Sequence, residues 1–173
     1  MTDIAIKINE TAKELIEISK EKQVSIGFAE SLTGGMISSS VVNISGASAV
    51  FKGAVVSYTN EVKENVLLVS PEIIDENTEV SGECAEAMAI GCSKVIGCDL
   101  AISVTGIAGP TGELPGKPVG TVYMGYAYEG PDFFGHYTGA LRLNFTGDRD
   151  TIRSQTVLTA LEYAVKLIKD GKA

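Results

Sequence analysis

The chain alternates short apolar runs with segments of helical periodicity, and this alternation restricts the folds open to it. The apolar runs at 24–29, 53–58 and 99–104 are predicted to be buried strands. Two further strand-like segments, 119–128 and 133–145, follow one another as a hairpin. Strands separated by helices favour a parallel sheet, and a late hairpin adds antiparallel strands to it. We therefore predict an α/β protein, a three-layer α/β/α sandwich with a mixed, mostly parallel sheet and a C-terminal hairpin.

Helical periodicity predicts the segments that would cover this sheet. Apolar residues recur at helical spacing over 3–22, which predicts an amphipathic helix there. The alanine-rich stretch 83–96 is predicted to be a helix with Ser81 as its N-cap. The other predicted helices are 36–43, about 60–67 and about 148–169, with a helical turn at 71–75. A chain of 173 residues can bury roughly 70% of its surface, and we expect 1–173 to form one domain.

The acidic composition restricts the partners and the location of the protein. The formal net charge of −8 repels phosphate backbones and anionic membrane surfaces, which argues against nucleic-acid and membrane binding. No apolar run approaches the ~20 residues of a membrane span. Residues 1–22 are charged and amphipathic, unlike a signal peptide. We therefore expect a cytoplasmic protein.

Cysteine and histidine usage restricts the chemistry. The three cysteines Cys84, Cys92 and Cys98 contain no C-x-x-C spacing, which argues against a zinc ribbon and a disulfide framework. We interpret them as small apolar core residues. His136 is the only histidine, so the sequence excludes a multi-histidine metal site, and we expect no bound metal.

Ser31 lies at the predicted junction of a strand and a helix, within the segment ESLTGG at 30–35. Active sites of open α/β sheets collect at the carboxyl ends of strands. A helix N-terminus offers unpaired N–H groups, and Gly34 and Gly35 let the backbone approach a ligand closely. The N–H groups near Thr33, Gly34 and Gly35 are therefore candidates to stabilise an oxyanion or hold a phosphate. On this segment alone, a serine or threonine helix cap is the simpler interpretation.

A serine nucleophile needs a base, and the sequence offers two candidates. Lys63 follows a predicted strand and can act as a base only if its surroundings lower its pKa from ~10.4. Tyr58 lies just before it and could relay a proton or donate a hydrogen bond. His136 lies in a predicted strand without another catalytic residue, which favours a surface or packing role. Local evidence leaves open that Lys63 is a solvated helix lysine and Tyr58 a strand-edge packing residue.

The segment 105–118 contains four glycines and three prolines, so it cannot form a regular element. A loop of this length in a compact domain is usually functional or disordered. The glycines at 106, 109 and 112 match neither G-x-x-x-x-G-K-[ST] nor G-x-G-x-x-G, which disfavours P-loop and dinucleotide chemistry. A substrate wall or lid and a plain irregular connection both stay open.

The arginines form a further cluster in the sequence. Arg142, Arg149 and Arg153 are the only three, and all lie in the last 32 residues. In an acidic chain such a group is a candidate clamp for phosphate or carboxylate. Arg149 is the best placed, in a Gly-Asp-Arg turn at a predicted helix N-terminus. The alternative is a salt bridge from Arg149 to a neighbouring acid such as Asp148 or Asp150.

Taken in order, these segments resemble one family: the C-terminal domain of competence/damage-inducible protein A (CinA) and its stand-alone relatives, the nicotinamide-mononucleotide amidohydrolases. The resemblance covers about 5–168, and its ordered set of motifs is highly specific. The matching segments are 30–35, 46–51, 53–63, 80–81, 105–110, 117–122 and 147–149. Leu32 departs from the Cys or Ala that members often carry, and 111–113 depart from a common Gly-Gly. The second departure bears on substrate fit.

The resemblance implies a Ser/Lys amidohydrolase that hydrolyses the carboxamide of nicotinamide mononucleotide to nicotinic acid mononucleotide and ammonia, as in pyridine nucleotide salvage. It implies Ser31 as the nucleophile, Lys63 as the base and Tyr58 beside them. The positions implied near the substrate are Ser48, Thr105, Gly106 and Arg149, together with the turn 33–35. No metal or organic cofactor is implied. The expected partners are a small-molecule nucleotide and, as in many small enzymes, further copies in a homo-oligomer.

Two other functions stay open at this point. One is a non-catalytic nucleotide-binding or regulatory module that uses the same pocket, in which Lys63 is an ordinary ion-pair lysine and 33–35 a phosphate nest. The other is an amidohydrolase that acts on a different small amide.

Overall fold

The computed structural model describes residues 3–129 and 137–171, which form a sheet flanked by helices. The strands are β1 (Ile26–Glu30), β2 (Phe51–Val56), β3 (Leu100–Gly106), β4 (Thr121–Tyr128) and β5 (Tyr137–Asn144). The helices are α1 (Asp3–Lys22), α2 (Met36–Val42), α3 (Asn60–Asn65), α4 (Pro71–Asn77), α5 (Gly82–Ile96) and α6 (Arg149–Asp170), with a 3₁₀ turn at Ala47–Ala49. The first part of the strand predicted at 133–145, including His136, lies outside the described residues.

The strands form one mixed sheet in the order β2-β1-β3-β4-β5. Strand β1 pairs in parallel with β2 on one side and with β3 on the other. Strand β4 pairs antiparallel with both β3 and β5. Three parallel strands followed by a C-terminal hairpin confirm the predicted α/β fold class.

Helices cover both faces of this sheet and complete the three layers. On one face, α1 and α6 pack against each other and bury Leu15 and Leu161. On the other face, α5 buries Cys84 and Met88 against Ala101 of β3. Because both faces are covered, β1 is buried throughout and β3 along nearly its whole length, as expected of central parallel strands. None of the described helices is long and apolar enough to cross a membrane.

The structure moves some of the predicted boundaries, and the shifts have a physical origin. Strands β1 and β3 extend past their predicted ends, to Glu30 and Gly106. The first residues of the motifs at 30–35 and 105–110 are therefore still part of the sheet. Strand β2 is displaced two residues toward the N-terminus because Phe51 pairs with Ile26. The apolar run used for the prediction begins only at 53, because the lysine at 52 interrupts the apolar pattern inside the strand.

Two predictions about α5 and the residues packed with it are confirmed. Ser81 is the N-cap of α5, and its Oγ accepts a hydrogen bond from the Cys84 N–H at 3.1 Å. Cys84, Cys92 and Cys98 are buried free thiols, as expected of small apolar core residues.

Helix α5 packs directly on the segment after α3, and a glycine makes the approach possible. A Cβ added at Gly91 would lie 1.8 Å from the Leu67 carbonyl oxygen. We therefore expect Gly91→Ala to lower the free energy of unfolding by about 1–3 kcal/mol through overpacking. Gly82→Ala in the same helix is the control, because its Cβ would meet only ordinary contacts, the nearest at 3.6 Å. Urea unfolding that finds the two variants equally stable would contradict this packing.

Candidate active site

A cavity of about 200 Å³ lies at the carboxyl ends of the parallel strands. Ser31 follows β1, Tyr58 follows β2, and Thr105 and Gly106 close β3. The cavity is lined by Ser31, Leu32, Tyr58, Lys63, Glu79, Val80, Thr105, Gly106, Ile107, Ala108, Gly109, Thr111, Gly112 and Arg149. The parallel topology thus brings together residues that are far apart in the chain, as open α/β sheets do.

Ser31 and Lys63 meet inside this cavity. The Lys63 Nζ lies 3.4 Å from the Ser31 Oγ and donates a hydrogen bond to the Ser57 carbonyl oxygen at 2.9 Å. Helix α3, whose N-cap Thr59 accepts a hydrogen bond from the backbone, carries Lys63 inward from the end of β2. Only 1% of Lys63 is exposed. It is therefore a buried lysine with two neutral oxygen partners, and not a solvated helix lysine.

Burial lowers the pKa of Lys63 below its ordinary value, because the charged ammonium loses its hydration. The nearby Cys84 and Glu79 act in the opposite direction, but burial is the largest effect. A lower pKa raises the fraction of neutral amine near neutral pH, which is the form able to accept a proton from Ser31. Burial also raises the pKa of the neighbouring Cys84 thiol to about 11, and the Lys63 charge acts on it in the opposite direction.

Glu30 occupies the helix N-terminus that the sequence offered to a ligand. Its side chain is fully buried and accepts hydrogen bonds from the N–H groups of Gly35, Ile37 and Ser38 at 2.9–3.0 Å. The prediction that the Gly35 N–H faces a substrate is therefore not supported by the geometry. The carboxylate satisfies the orphan N–H groups of α2 and fixes this helix to the end of β1.

The turn after Ser31 leaves different N–H groups available. The Gly34 N–H donates to the Ser31 carbonyl at 3.1 Å, so it too is already used. Thr33 is fully buried and, like Gly34 and Gly35, does not line the cavity. Leu32 lines it, and its N–H donates to no acceptor in the described parts of the chain. The candidate oxyanion donor thus moves from 33–35 to the residue directly after the serine, the position that supplies one such donor in α/β-hydrolases.

Ser48 lies far from this cavity within the chain. It belongs to the 3₁₀ turn before β2 and lines a separate cavity with Gly46 and Phe51. Because β1 and β2 run parallel, the start of β2 lies at the amino end of the strands and the end of β1 lies at their carboxyl end. The structure therefore does not bring Ser48 to Ser31, and a role for it near this cavity is not supported.

Arg149 and Tyr58 are brought together at the cavity. The Arg149 Nη1 donates to the Gly109 carbonyl at 2.8 Å, and its Nη2 donates to the Tyr58 hydroxyl at 3.1 Å. Tyr58 is 59% exposed, which places its ring at the mouth of the cavity. Asp148 caps α6 by accepting from the Thr151 N–H, so it is not the ion-pair partner of Arg149. The guanidinium is held by neutral groups and keeps its charge available to a ligand.

The glycine- and proline-rich loop forms one wall of the cavity, and cationic side chains hold it in place. Arg142 donates to the Gly116 carbonyl at 2.8 Å, and Arg149 holds Gly109. The Lys117 Nζ reaches the Asn77 carbonyl at 2.9 Å. At the start of the loop, a Cβ on Gly106 would come within 2.7 Å of a backbone oxygen of β4, so only glycine fits there.

Sequence reasoning missed three residues of this site. Glu30 is the first residue of the segment 30–35 and Glu79 precedes the segment 80–81, and no periodicity distinguishes these two acids from surface acids. The sequence indicates Arg153 only as one member of the arginine cluster. Its guanidinium donates to the carbonyls of Leu32 and Thr33 at 3.1 and 2.9 Å and so braces the turn that carries the serine. Among the described residues, no group of three His, Cys, Asp or Glu side chains is placed to hold a metal ion.

Comparison with known proteins relates the chain to a family. The family model described as the CinA C-terminal domain matches residues 8–168. The chain is 43% identical over 155 residues to a CinA-like protein of Thermotoga maritima, which covers 90% of this chain and 36% of that protein. It is 45% identical over 144 residues to a CinA-like protein of Citrifermentans bemidjiense, with 83% and 33% covered. The chain thus spans about a third of the length of these curated relatives.

Solved structures agree with this relationship. A competence/damage inducible protein from Agrobacterium tumefaciens superposes with a TM-score of 0.87 at 33% identity, covering 93% of this chain and 95% of that one. A CinA superfamily protein from Escherichia coli gives a TM-score of 0.85 at 28% identity, with 96% and 93% covered. The motifs, the fold and the matched length agree, and the chain belongs to the CinA C-terminal domain family.

Proposed function

We propose that the protein hydrolyses the carboxamide of nicotinamide mononucleotide to nicotinic acid mononucleotide and ammonia. The observation that carries this proposal is the buried Lys63 Nζ at 3.4 Å from the Ser31 Oγ, in a cavity that also holds Arg149. A hydroxyl beside a desolvated amine is the arrangement of a Ser/Lys nucleophile and base. An arginine in the same cavity supplies a partner for a phosphate.

The first chemical step forms an ester on Ser31. Its Oγ attacks the carboxamide carbon while its proton passes to the neutral Lys63 amine. Lys63 donates one hydrogen to the Ser57 carbonyl at 2.9 Å, which anchors the amine while its lone pair accepts the serine proton. The Nζ–Oγ distance of 3.4 Å is longer than in a reacting complex, and catalytic hydrogen bonds commonly shorten when substrate binds.

The negative charge that develops on the carbonyl oxygen needs a donor. In this proposal the N–H of Leu32 supplies it, because Leu32 lines the cavity and its N–H has no acceptor among the described residues. Arg153 supports this geometry indirectly by holding the Leu32 and Thr33 carbonyls. A preformed donor of this kind costs no reorganisation when the charge appears.

Collapse of the tetrahedral intermediate expels the amide nitrogen. The protonated Lys63 returns its proton to this nitrogen, which leaves as ammonia, and Tyr58 at the cavity mouth assists with its hydroxyl. Water then attacks the ester carbonyl, with Lys63 again taking the proton, and the acid is released from Ser31. The proposal uses side chains and water throughout and calls for no cofactor.

Arg149 would hold the phosphate of the mononucleotide. Two of its nitrogens are committed to the Gly109 carbonyl and the Tyr58 hydroxyl, so the guanidinium is oriented before a ligand arrives. Thr105 lines the cavity, but its hydroxyl donates to the Glu79 carbonyl at 2.7 Å and so positions the wall. Assembly into a homo-oligomer and a cytoplasmic location stay predictions.

The nucleophile and the base can be tested directly. Ser31→Ala and Lys63→Met should each lower ammonia release from nicotinamide mononucleotide at least about a thousandfold, because each removes one half of the reacting pair. His136→Ala is the control and should stay active. Ammonia release is measured with purified protein in chelator, and circular dichroism checks that the variants are folded.

The other outcomes separate the alternatives. A wild-type level of turnover in Ser31→Ala, or loss of activity in His136→Ala alone, would contradict the Ser/Lys assignment. Binding of the nucleotide without turnover by the wild type would favour the non-catalytic module. Ammonia release only from another amide in a substrate panel would favour an amidohydrolase of different specificity.

Arg149 can be tested by removing the phosphate from the substrate. Arg149→Gln should lower kcat/KM for nicotinamide mononucleotide about 10- to 100-fold, the effect of losing a charge-assisted hydrogen bond. The same variant should change kcat/KM for nicotinamide riboside little, since that substrate has no phosphate. Arg142→Gln is the matched control, because its guanidinium holds Gly116 away from the cavity lining. Equal losses on both substrates would mean that Arg149 acts only by holding the loop.

A further inference from the structure

Glu79 places a carboxylate in the wall of a cavity whose proposed ligand carries a phosphate. It lines the cavity together with Ser31 and Lys63 and is only partly exposed. Its carboxylate makes no hydrogen bond or ion pair within residues 3–129 and 137–171. A single negative charge left without a partner here would repel a phosphate, so it needs another explanation.

The backbone around Glu79 is held in a specific conformation. The Thr105 Oγ1 donates to the Glu79 carbonyl at 2.7 Å. The Lys117 Nζ lies 2.9 Å from both the Asn77 carbonyl oxygen and the Thr78 Oγ1. Thr78 has a φ of 71°, a left-handed conformation that is strained for a β-branched residue. Strain that is held by surrounding contacts is concentrated at functional sites. The segment between α4 and α5 thus holds the Glu79 backbone at the cavity wall.

The cavity has an acidic and a basic side chain, Glu79 and Arg149, at different parts of its wall. The Thr105 hydroxyl holds Glu79 at the end of β3, and the Ser31 N–H donates to the Val104 carbonyl of the same strand end at 3.0 Å. Glu79 therefore lies in the part of the cavity wall next to the Ser31–Lys63 pair. Arg149 is anchored on Gly109 and Tyr58, on the side of the loop and the mouth. The cavity therefore carries a negative charge near the reacting pair and a positive charge near its entrance.

We propose that the Glu79 carboxylate is the counter-charge for the cationic pyridinium ring of the substrate and selects the charged ring over a neutral one. This inference rests on the proposed function. The pyridinium nitrogen and the carboxamide belong to the same ring, so a carboxamide at Ser31 brings the positive ring beside Glu79. The phosphate at the other end of the molecule then lies toward Arg149. In this orientation the positive ring of the substrate faces the negative Glu79, and its negative phosphate faces the positive Arg149.

The test compares two ligands that differ in ring charge. Nicotinamide mononucleotide has a cationic ring, and its dihydro form has the same carboxamide, ribose and phosphate on a neutral ring. Both dissociation constants are measured by calorimetry on the Ser31→Ala protein, which prevents turnover. Adding Glu79→Gln should weaken binding of the cationic form about fivefold, the upper range for an ion pair partly open to water. Binding of the dihydro form should not change, so the preference for the charged ring falls by the same factor.

Two further variants separate this role from others. Glu79→Asp keeps the charge and should keep most of the preference. Glu83→Gln removes an exposed carboxylate in the first turn of α5 and should leave both dissociation constants unchanged. An unchanged preference in Glu79→Gln would overturn the inference, and a shift only in the pH profile of the Ser31-containing enzyme would assign Glu79 to Lys63 alone.

The outcomes for the two proposals are distinguishable. Ammonia release by the wild type, together with a preference that Glu79→Gln does not change, would retain the proposed reaction and overturn the role of Glu79. A Glu79-dependent preference without ammonia release would retain the role of Glu79 and overturn the reaction. Absence of binding by both nucleotides would overturn the role of Glu79.

Discussion

The burial of one lysine amine without a carboxylate bonded to it is the constraint on which the site depends. Lys63 is 1% exposed, and its two hydrogen-bond partners are the neutral oxygens of Ser31 and Ser57. A charged ammonium in this position would lose several kcal/mol of hydration that neutral partners do not return. The structure therefore stabilises the neutral amine, and a neutral amine beside a serine hydroxyl is a base. The base that we propose for this site therefore depends on how α3 buries the Lys63 side chain.

The frame around this pair is built from cations that bind backbone carbonyls. Arg153 holds the turn after Ser31, while Arg142, Lys117 and Arg149 hold the loop that forms the facing wall. Arg142 and Arg149 satisfy carbonyls of the irregular loop at Gly116 and Gly109, and such bonds allow a long loop to line a rigid cavity. In a chain of net charge −8, these cationic side chains are concentrated where a phosphate is proposed to bind.

Sequence periodicity predicts the scaffold well because apolar spacing directly reflects burial. The span of α1 and the capping of α5 by Ser81 follow from local patterns. The meeting of Ser31 and Lys63 follows from the rule that strand ends of a parallel sheet share one edge. Local sequence patterns do not show which backbone N–H groups already donate to an acceptor within the protein. Glu30 accepts from the N–H groups of Gly35, Ile37 and Ser38, so the geometry does not support the predicted role of the Gly35 N–H toward a ligand.

The most direct test of the account measures the protonation of Lys63 itself. The protein is labelled with ¹³C at the lysine ε carbons, the Lys63 resonance is assigned with a Lys63→Arg variant, and the spectra are recorded against pH. The account predicts that the Lys63 resonance titrates below the range of the surface lysines, because burial disfavours its charged form. A Lys63 resonance that titrates together with the surface lysines, near the ordinary value of ~10.4, would contradict the assignment of Lys63 as a base.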